Sequence, residues 1–383
     1  MQRSGSFKER GCLNALQLLP TDKRKLGVVV ASSGNEAIGM CYQAAKMNIP
    51  VIVVMPVSMA IDKMQRCHGY GAKVLVQGAN LVEAAKHARA LARDKGLIYI
   101  NGRDHPHILT GYGSVAIEIL ETTPTLDALI VPVGTGGLAA AVAAVIKHKK
   151  PSVLIYGVQP EQTPTFFRSL EADEPTTLPI VNNVADAITV SQVGCNAFAS
   201  AKPRLDKMLL VKEDWVTRAM LNLAEREKFI VEGAGACTLA AIIGNLVPEL
   251  KGKNVVCILT GGNVDNVMMV RCLERGLSAE GRLVKFRVGI RNNPASKAKF
   301  ISLIADGGYN IHRHFQDNSW TDGHDYYVEM KVICETKDLA HALELKKTIE
   351  KAYPCTSTFE NEPFNDKRTC PCYIKKVGGH QYK

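Results

Sequence analysis

The feature that most constrains the fold is the alternation of short apolar runs with longer helical patterns in the N-terminal part of the chain. The apolar runs occupy 26–31, 51–55, 73–76, 97–100, 128–133, 153–158 and 255–259. Helical patterns lie between them at 36–47, 81–93, 137–147 and 235–246, among others. Apolar runs without inside–outside alternation are typical of strands buried on both faces of a parallel sheet. The sequence therefore predicts an α/β fold with doubly wound, mostly parallel sheets.

Near residue 280 the pattern changes to strands that alternate between apolar and polar residues. Strands are predicted at 283–291, 310–316, 326–335 and 356–361, helices at 295–306 and 339–352, and a turn at 321–324. This βαββαβ order predicts a second, ferredoxin-like domain at 281–364. The polar segment 365–383 is predicted to be a mobile tail.

The composition is that of a globular protein, with 46% hydrophobic and 22% charged residues among 383. No apolar run reaches the roughly 18 residues that a membrane span needs, and the first residues lack the apolar segment of a signal peptide. Eleven cysteines, an odd number scattered through apolar segments, are typical of reduced thiols. We therefore expect a cytoplasmic protein without a membrane partner.

Neither a metal ion nor a nucleic acid is expected as a partner. Cys370 and Cys372 form the one close cysteine pair, and no second pair stands at zinc-site spacing, so no metal is predicted. The net charge is +10, but the basic residues are spread along helical segments without a stripe interleaved with aromatics. Nucleic-acid binding is therefore not expected.

Four loops contain the candidate catalytic and cofactor-binding residues. Lys8 follows the small-residue turn Ser4-Gly5-Ser6-Phe7, and a helical pattern at 12–19 follows it. Three glycine-containing loops each follow an apolar run: Ser32-Ser33-Gly34-Asn35, Gly134-Thr135-Gly136-Gly137 and Thr260-Gly261-Gly262-Asn263. Backbone amides at a helix N-terminus bind phosphate, and parallel sheets collect ligands at the carboxyl ends of their strands. One amine together with such loops predicts a small-molecule cofactor that is held covalently.

These ordered motifs, together with Val231-Glu232-Gly233-Ala234-Gly235-Ala236, resemble the pyridoxal-phosphate enzymes of the tryptophan-synthase-β fold type. Within that group they are most similar to serine/threonine dehydratases and serine racemases, over roughly residues 1–275. The resemblance implies a two-lobed catalytic domain at 1–280 with a smaller lobe at roughly 20–108. It also implies pyridoxal phosphate as the cofactor, a small amino acid as the substrate, and a homo-oligomer.

The same resemblance assigns roles to individual residues. Lys8 is the lysine that binds the cofactor and acts as a base, and Phe7 covers it. The substrate carboxylate is held by the loop of Ser32, Ser33, Gly34 and Asn35, in which Ser33 is a second candidate proton donor and acceptor. The remaining cofactor contacts are assigned to Asn35, to the phosphate loop of Gly134, Thr135, Gly136, Gly137 and Leu138, and to Glu232 and Thr260.

Several positions depart from the family pattern. Glu36 stands where many relatives have histidine, and a carboxylate in a first helical turn is stabilised by the helix dipole. Gln159 and Thr165 stand where metal-dependent racemases have carboxylates, which favours the dehydratase interpretation. Relatives also carry several dozen residues before the lysine motif, so we expect this chain to be a fragment or variant form with an open cofactor site.

The domain at 281–364 resembles an ACT regulatory domain by element order and position, which implies an amino-acid effector. Its first loop, Asn292-Asn293-Pro294-Ala295, lacks the usual glycine, and a plain packing domain stays an alternative. We therefore predict a dehydratase that converts L-threonine or L-serine to a 2-oxo acid and ammonia. A serine racemase and a catalytically inactive amino-acid-binding homologue are the two alternatives.

Overall fold

A computed structural model describes residues 2–57, 61–317 and 326–360, and the backbone of 374–376. The described chain divides into two compact units, and the boundary falls at Met269/Val270. The turn predicted at 321–324, the cysteine pair at 370 and 372, and most of the predicted mobile tail lie outside the described residues.

The first unit contains two sheets. The first sheet has four parallel strands in the order β3-β2-β1-β4. Its strands are β1 (Val28–Ala31), β2 (Val51–Met55), β3 (Lys73–Val76) and β4 (Ile98–Tyr99).

The second sheet has the order β13-β7-β6-β5-β8 and is parallel except for β13. Its strands are β5 (Ala128–Pro132), β6 (Leu154–Pro160), β7 (Lys207–Val211), β8 (Val255–Cys257) and β13 (Ile374–Lys376). The two parallel sheets confirm the predicted doubly wound α/β class. Strand β7 was not predicted.

Helices separate these strands along the chain. Their bounds are α1 (Lys8–Gln17), α2 (Thr21–Arg24), α3 (Asn35–Lys46), α4 (Ile61–Gly69), α5 (Leu81–Lys95), α6 (Pro106–Thr122), α7 (Gly137–Lys149), α8 (Thr165–Ala172), α9 (Cys195–Ala201), α10 (Glu213–Asn222), α11 (Gly233–Ile243) and α12 (Asn266–Ala279). Short 3-10 or π turns occupy Asp186–Ile188, Leu223–Glu227 and Pro248–Leu250. No helix in the described part of the chain combines the length and apolar character needed to cross a membrane.

The central strands β1 and β2 of the first sheet are largely buried on both faces, as their unbroken apolar sequences predict. Val29 of β1 packs with Ala84 and Ala88 of α5. Its neighbours Val28 and Val30 belong instead to a larger core that includes α1, α3 and the second sheet. Because successive strand residues point to opposite faces, helices cover both sides and leave the strand ends to form the site.

The second unit is a four-stranded antiparallel sheet with two helices. Its sheet order is β10-β11-β9-β12. The elements are β9 (Leu283–Arg291), α13 (Pro294–Asp306), β10 (Asn310–Asp317), β11 (Tyr327–Glu335), α14 (Leu339–Ala352) and β12 (Ser357–Phe359). The apolar residues of the strands pack on both helices in one core that includes Phe286, Phe300 and Leu345. This confirms the βαββαβ order and its ferredoxin-like topology.

Candidate active site

Helix α1 begins at Lys8, which corrects the predicted helical start at residue 12. The preceding segment is fixed by the loop that follows β8: the Phe7 amide donates to the Thr260 carbonyl (2.9 Å), and the Gly262 amide donates to the Gly5 carbonyl (2.9 Å). A Cβ on Gly5 would lie 2.2 Å from Oδ1 of Asn263, so only glycine permits this close approach. Lys8 is therefore placed by contacts with residues more than 250 positions away.

The amine of Lys8 lies in an aromatic environment. Its Nζ is 4.9 Å from the ring centroid of Phe7 and 5.3 Å from that of Tyr112, and the two rings are 4.7 Å apart. Burial lowers the pKa of Lys8, while the carboxyls of Glu36 and Glu232 oppose that shift. A lowered pKa increases the fraction of neutral amine, which is the nucleophilic and basic form.

The serine-rich loop connects β1 to α3. Ser32, Ser33, Gly34 and Asn35 all line a cavity of about 800 Å³ that also contains Lys8. Asn35 is the first residue of α3, so the loop presents a helix N-terminus, with its unpaired amides and positive dipole end, to this cavity. The arrangement is suited to binding a carboxylate.

A network of side-chain hydrogen bonds joins two residues of the cavity wall, Asn35 and Glu232, to residues behind it. Nδ2 of Asn35 donates to Oε1 of Glu232 (2.7 Å), and Nδ2 of Asn263 donates to Oδ1 of Asn35 (2.8 Å). Arg66 donates in turn to Oδ1 of Asn263 (2.6 Å) and to the Ser4 carbonyl (3.1 Å). Burial raises the pKa of Glu232 to about 7, against the opposing effect of its bond with Asn35. The network fixes the Asn35 amide from both sides.

Sequence reasoning missed Arg66 and Asn263 as site residues. Asn263 was visible as the end of the fourth loop motif, but its bonds to Ser4 and Asn35 depend on tertiary contacts. Arg66 lies on α4 with no motif around it, so its sequence carried no signal of this position.

The glycine-rich loop joins β5 to α7. Gly136 caps the helix with φ +98°, and a Cβ there would lie 2.6 Å from the Phe166 ring. The hydroxyl of Thr135 donates to the Arg103 carbonyl (3.2 Å), so this side chain tethers the loop. The amides of a helix N-terminus that opens into a cavity form an anion site, and Gly134, Thr135, Gly136, Gly137 and Leu138 all line this cavity.

Thr260 lies in the loop that follows β8 and is only 5% exposed. Its Oγ1 is buried without a hydrogen-bond partner among the described residues. Thr260 lines the same cavity as Lys8. A buried hydroxyl is ordinarily hydrogen-bonded, so this one is available to a polar atom of a bound molecule.

Gln159 and Thr165, the two positions relevant to a metal site, have structural partners. Oε1 of Gln159 accepts from the amides of Phe166 (3.0 Å) and Phe167 (3.1 Å) at the start of α8. The Thr165 hydroxyl donates to the Val190 carbonyl (2.6 Å). Among the described residues, no group of three or more His, Cys, Asp or Glu side chains could hold a metal ion.

All the predicted site residues therefore line one cavity, including Phe7 and Glu232. Residues 1–261 match a family model described as pyridoxal-phosphate dependent enzyme. The chain belongs to this family. Its cofactor is pyridoxal phosphate, as the sequence predicts. The unpartnered Thr260 hydroxyl and the amine of Lys8, whose pKa is lowered by burial, fit that group.

Relatives within this family are similar over most of the chain. The L-threonine ammonia-lyase of Geobacter sulfurreducens is 34% identical, over 90% of this chain and 86% of that protein. The L-threonine ammonia-lyase of Thermotoga maritima is 32% identical, over 92% and 88%.

Solved structures of this family superpose on the fold. Threonine deaminase isoform 2 from Solanum lycopersicum matches with a TM-score of 0.67 and 31% identity, over 72% of this chain and 80% of that chain. Serine racemase from Dictyostelium discoideum matches with a TM-score of 0.65 and 32% identity, over 69% and 85%.

Proposed function

We propose that this protein is an ammonia-lyase that converts L-threonine to 2-oxobutanoate, and L-serine to pyruvate, with release of ammonia. The observation that carries the proposal is the amine of Lys8 beside two aromatic rings, in one cavity with a serine-rich loop and a glycine-rich helix N-terminus. The L-threonine ammonia-lyases of Geobacter and Thermotoga, similar over most of their length, support it.

The cavity offers a partner for each part of the cofactor. The amides of residues 134–138 would hold the phosphate, and Asn35 would hold the ring hydroxyl. The Thr260 hydroxyl would face the ring nitrogen, and the Lys8 amine would bond to the aldehyde carbon. When bound, pyridoxal phosphate supplies an electron-accepting ring that stabilises negative charge at the substrate α-carbon.

The protein residues supply orientation and proton transfer. The loop of Ser32, Ser33 and Gly34 would bind the substrate carboxylate through amides and hydroxyls. Nζ of Lys8 would take the α-proton as a general base, and the Phe7 and Tyr112 rings beside it limit its hydration. The β-hydroxyl would leave as water by taking one proton from the solvent in the cavity, which balances the proton removed from the α-carbon. The enamine that is left is hydrolysed by water to the 2-oxo acid and ammonia.

The deciding experiment measures 2-oxo acid and ammonia formed from L-threonine and L-serine by the full chain with added pyridoxal phosphate. We expect both products in equal amounts, and no change when a divalent chelator is added, because Gln159 and Thr165 replace the racemase metal ligands. Cofactor binding without either product would support the inactive amino-acid-binding homologue instead.

A serine racemase is the second candidate, because Ser33 lines the cavity. A chiral assay of L-serine conversion separates the two activities. D-serine as the main product, with activity lost on chelation and restored by magnesium, would replace the ammonia-lyase proposal.

Thr260→Asp should change the reaction as well as the affinity for the cofactor. A carboxylate in place of the hydroxyl would favour a protonated ring nitrogen and a longer-lived negative charge at the α-carbon. We expect 2-oxo acid formation to fall by about tenfold or more, with more side reaction at that carbon, while Thr260→Ser keeps most of the activity. If elimination by the cofactor-saturated Asp variant is unchanged, Thr260 does not face the ring nitrogen.

We also propose that residues 281–364 form an amino-acid-sensing module and that the protein is a homo-oligomer. The βαββαβ order supports the module, as does a second cavity of about 640 Å³ lined by Arg291, Lys299 and Tyr327, among others. The loop that lacks the usual glycine instead caps α13, since Oδ1 of Asn293 accepts from the Ser296 amide (2.8 Å).

The module is tested by assaying the full chain with each amino acid in turn and measuring its mass in solution. Response curves without any effector, together with a monomeric mass, would reduce the domain to a packing element. A cytoplasmic location is also proposed, because buried cysteines such as Cys12, Cys41 and Cys237 are free thiols.

A further inference from the structure

Glu36 is a buried carboxyl in the cavity wall that the proposed function does not use. It lies in the first turn of α3, is 8% exposed and lines the cavity beside Lys8. Its Oε1 has no hydrogen-bond partner among the described residues. Helix-dipole stabilisation alone, expected from the sequence, does not explain why an ionisable side chain is buried with one oxygen unpaired.

The backbone around Glu36 is shaped to admit its side chain. A Cβ on Gly102 would lie 2.3 Å from Oε1 of Glu36, so the carboxyl fills the space that a larger residue at 102 would occupy. One turn along α3, a Cβ on Gly39 would lie 3.0 Å from the Glu9 amide nitrogen. This close approach brings the first turn of α3 against the first turn of α1, where Lys8 lies.

Several titratable or polar groups surround the Glu36 carboxyl. They are Lys8 and Cys12 of α1, Ser32 of the preceding loop, Cys41 of α3, Cys67 of α4, Tyr99 of β4, Arg103 of the following loop and Tyr112 of α6. Burial raises the pKa of the Cys12, Tyr99 and Tyr112 side chains, so these three stay neutral near pH 7. The two basic groups near the Glu36 carboxyl are Lys8 and Arg103.

Burial raises the pKa of Glu36 to about 7, while the nearby Ser32 hydroxyl and the charges of Lys8 and Arg103 limit the shift. Among the carboxyls that act on Lys8, Glu36 has the larger effect and Glu232 the smaller. Oε1 of Glu232 is also occupied by the Asn35 amide. Of these two carboxyls, Glu36 is the one with a buried oxygen that lacks a hydrogen-bond partner among the described residues.

We propose that Glu36 is a positioning residue for Lys8, which takes up the proton that the lysine removes from the substrate and so returns the amine to its neutral form. The inference rests on the proposed elimination and deepens it. In this step an N–H bond of the Lys8 ammonium breaks and an O–H bond forms on Glu36, so both charges vanish and no oxidant is needed. Glu36 then releases the proton to water and is a carboxylate again before the next turnover. Glu36 must be ionised to accept the proton, so activity should rise as the pH increases through about 7.

The first test needs no cofactor and no turnover. Lys8 in the cofactor-free protein is acylated over a range of pH, and its labelling is followed by mass spectrometry of the peptide that contains it. A neighbouring carboxylate stabilises the ammonium, so Glu36→Gln should shift the labelling midpoint of Lys8 downward by about one pH unit. Gly102→Ala, which displaces the carboxyl but keeps its charge in the protein, should shift it in the same direction by a smaller amount.

The second test follows the pH profile of the loaded enzyme. We expect Glu36→Gln to lower kcat by about tenfold or more, to change KM little, and to remove the acidic limb of the kcat profile near pH 7. Glu36→Asp should retain the acidic limb of the kcat profile, because it keeps a carboxylate at this position. The matched control is Glu249→Gln, which removes a carboxylate paired with another lysine, Lys207, away from the cavity; its profile should equal that of the wild type.

Two results would overturn this inference in an active wild-type protein: an unchanged labelling midpoint in folded Glu36→Gln, or a higher KM with wild-type kcat and profile. The second would mean that Glu36 serves substrate binding. If Glu36→Gln does not fold, the Asp and Gly102→Ala variants decide in the same two assays. Failure of the proposed function is seen separately, as absence of 2-oxo acid from the wild type.

Discussion

Replacing Lys8 with alanine should abolish the covalent link to the cofactor and lower 2-oxo acid formation by about 10³-fold or more. Lys8 lines the cavity with its amine beside the Phe7 and Tyr112 rings, and its pKa is lowered by burial. The variant should stay folded, because burial disfavours the charged amine that is removed. The absorbance of the bound cofactor and its borohydride-trapped peptide are the measurements.

Lys202→Ala is the matched control for that variant. Its Nζ also lies over a phenylalanine ring, 5.9 Å from the centroid of Phe198, but it does not line the cavity. We expect wild-type absorbance and activity. A cofactor trapped on any lysine other than Lys8 in the wild-type protein would contradict the assignment of Lys8.

Replacing Gly136 with alanine should weaken both folding and cofactor binding. The residue has φ +98°, and the new Cβ would meet the Phe166 ring at 2.6 Å. Backbone strain of this kind costs about 1–3 kcal/mol, and relief of the clash would move the amides that open α7. We expect a lower Tm and, if the loop holds the phosphate, at least about tenfold weaker cofactor binding, since tenfold corresponds to about 1.4 kcal/mol.

Gly252→Ala separates the two effects. Gly252 also has a positive φ, +78°, but a Cβ there would meet no atom within 4 Å. The control should lower the Tm slightly and leave the cofactor dissociation constant, measured by spectroscopic titration, unchanged. Equal cofactor affinity in Gly136→Ala and the wild type would mean that residues 134–138 do not hold the phosphate.

The fold class could be predicted because the local periodicity of apolar residues distinguishes strands from helices along the chain. Strands β2 and β3 lie where apolar runs predict them, at Val51–Met55 and Lys73–Val76. Strand β7 (Lys207–Val211) was missed although it is apolar, since its strand state depends on pairing with β6. Short apolar runs are ambiguous until a neighbouring strand is known.

The start of α1 also could not be predicted from local sequence alone. The turn residues before Lys8 predict a helix that begins later, at residue 12. The structure begins it at Lys8 because the Phe7 amide and the Ser6–Gly261 bridge tie this segment to the loop after β8. Tertiary hydrogen bonds of this kind override local helix propensity.

For this protein the sequence by itself determined the sheet-and-helix alternation, the ferredoxin-like second unit and the residues that line the cavity. The first two features follow from local periodicity. The cavity residues follow from the family resemblance of their motifs, together with the rule that loops at the carboxyl ends of parallel strands meet. Only the tertiary structure decided that Asn35 is held by Glu232 and Asn263, and that the carboxyl of Glu36 fills the space beside Gly102. The physical reason is that these contacts join side chains far apart in sequence, whose directions depend on how the helices and loops pack around the finished sheets.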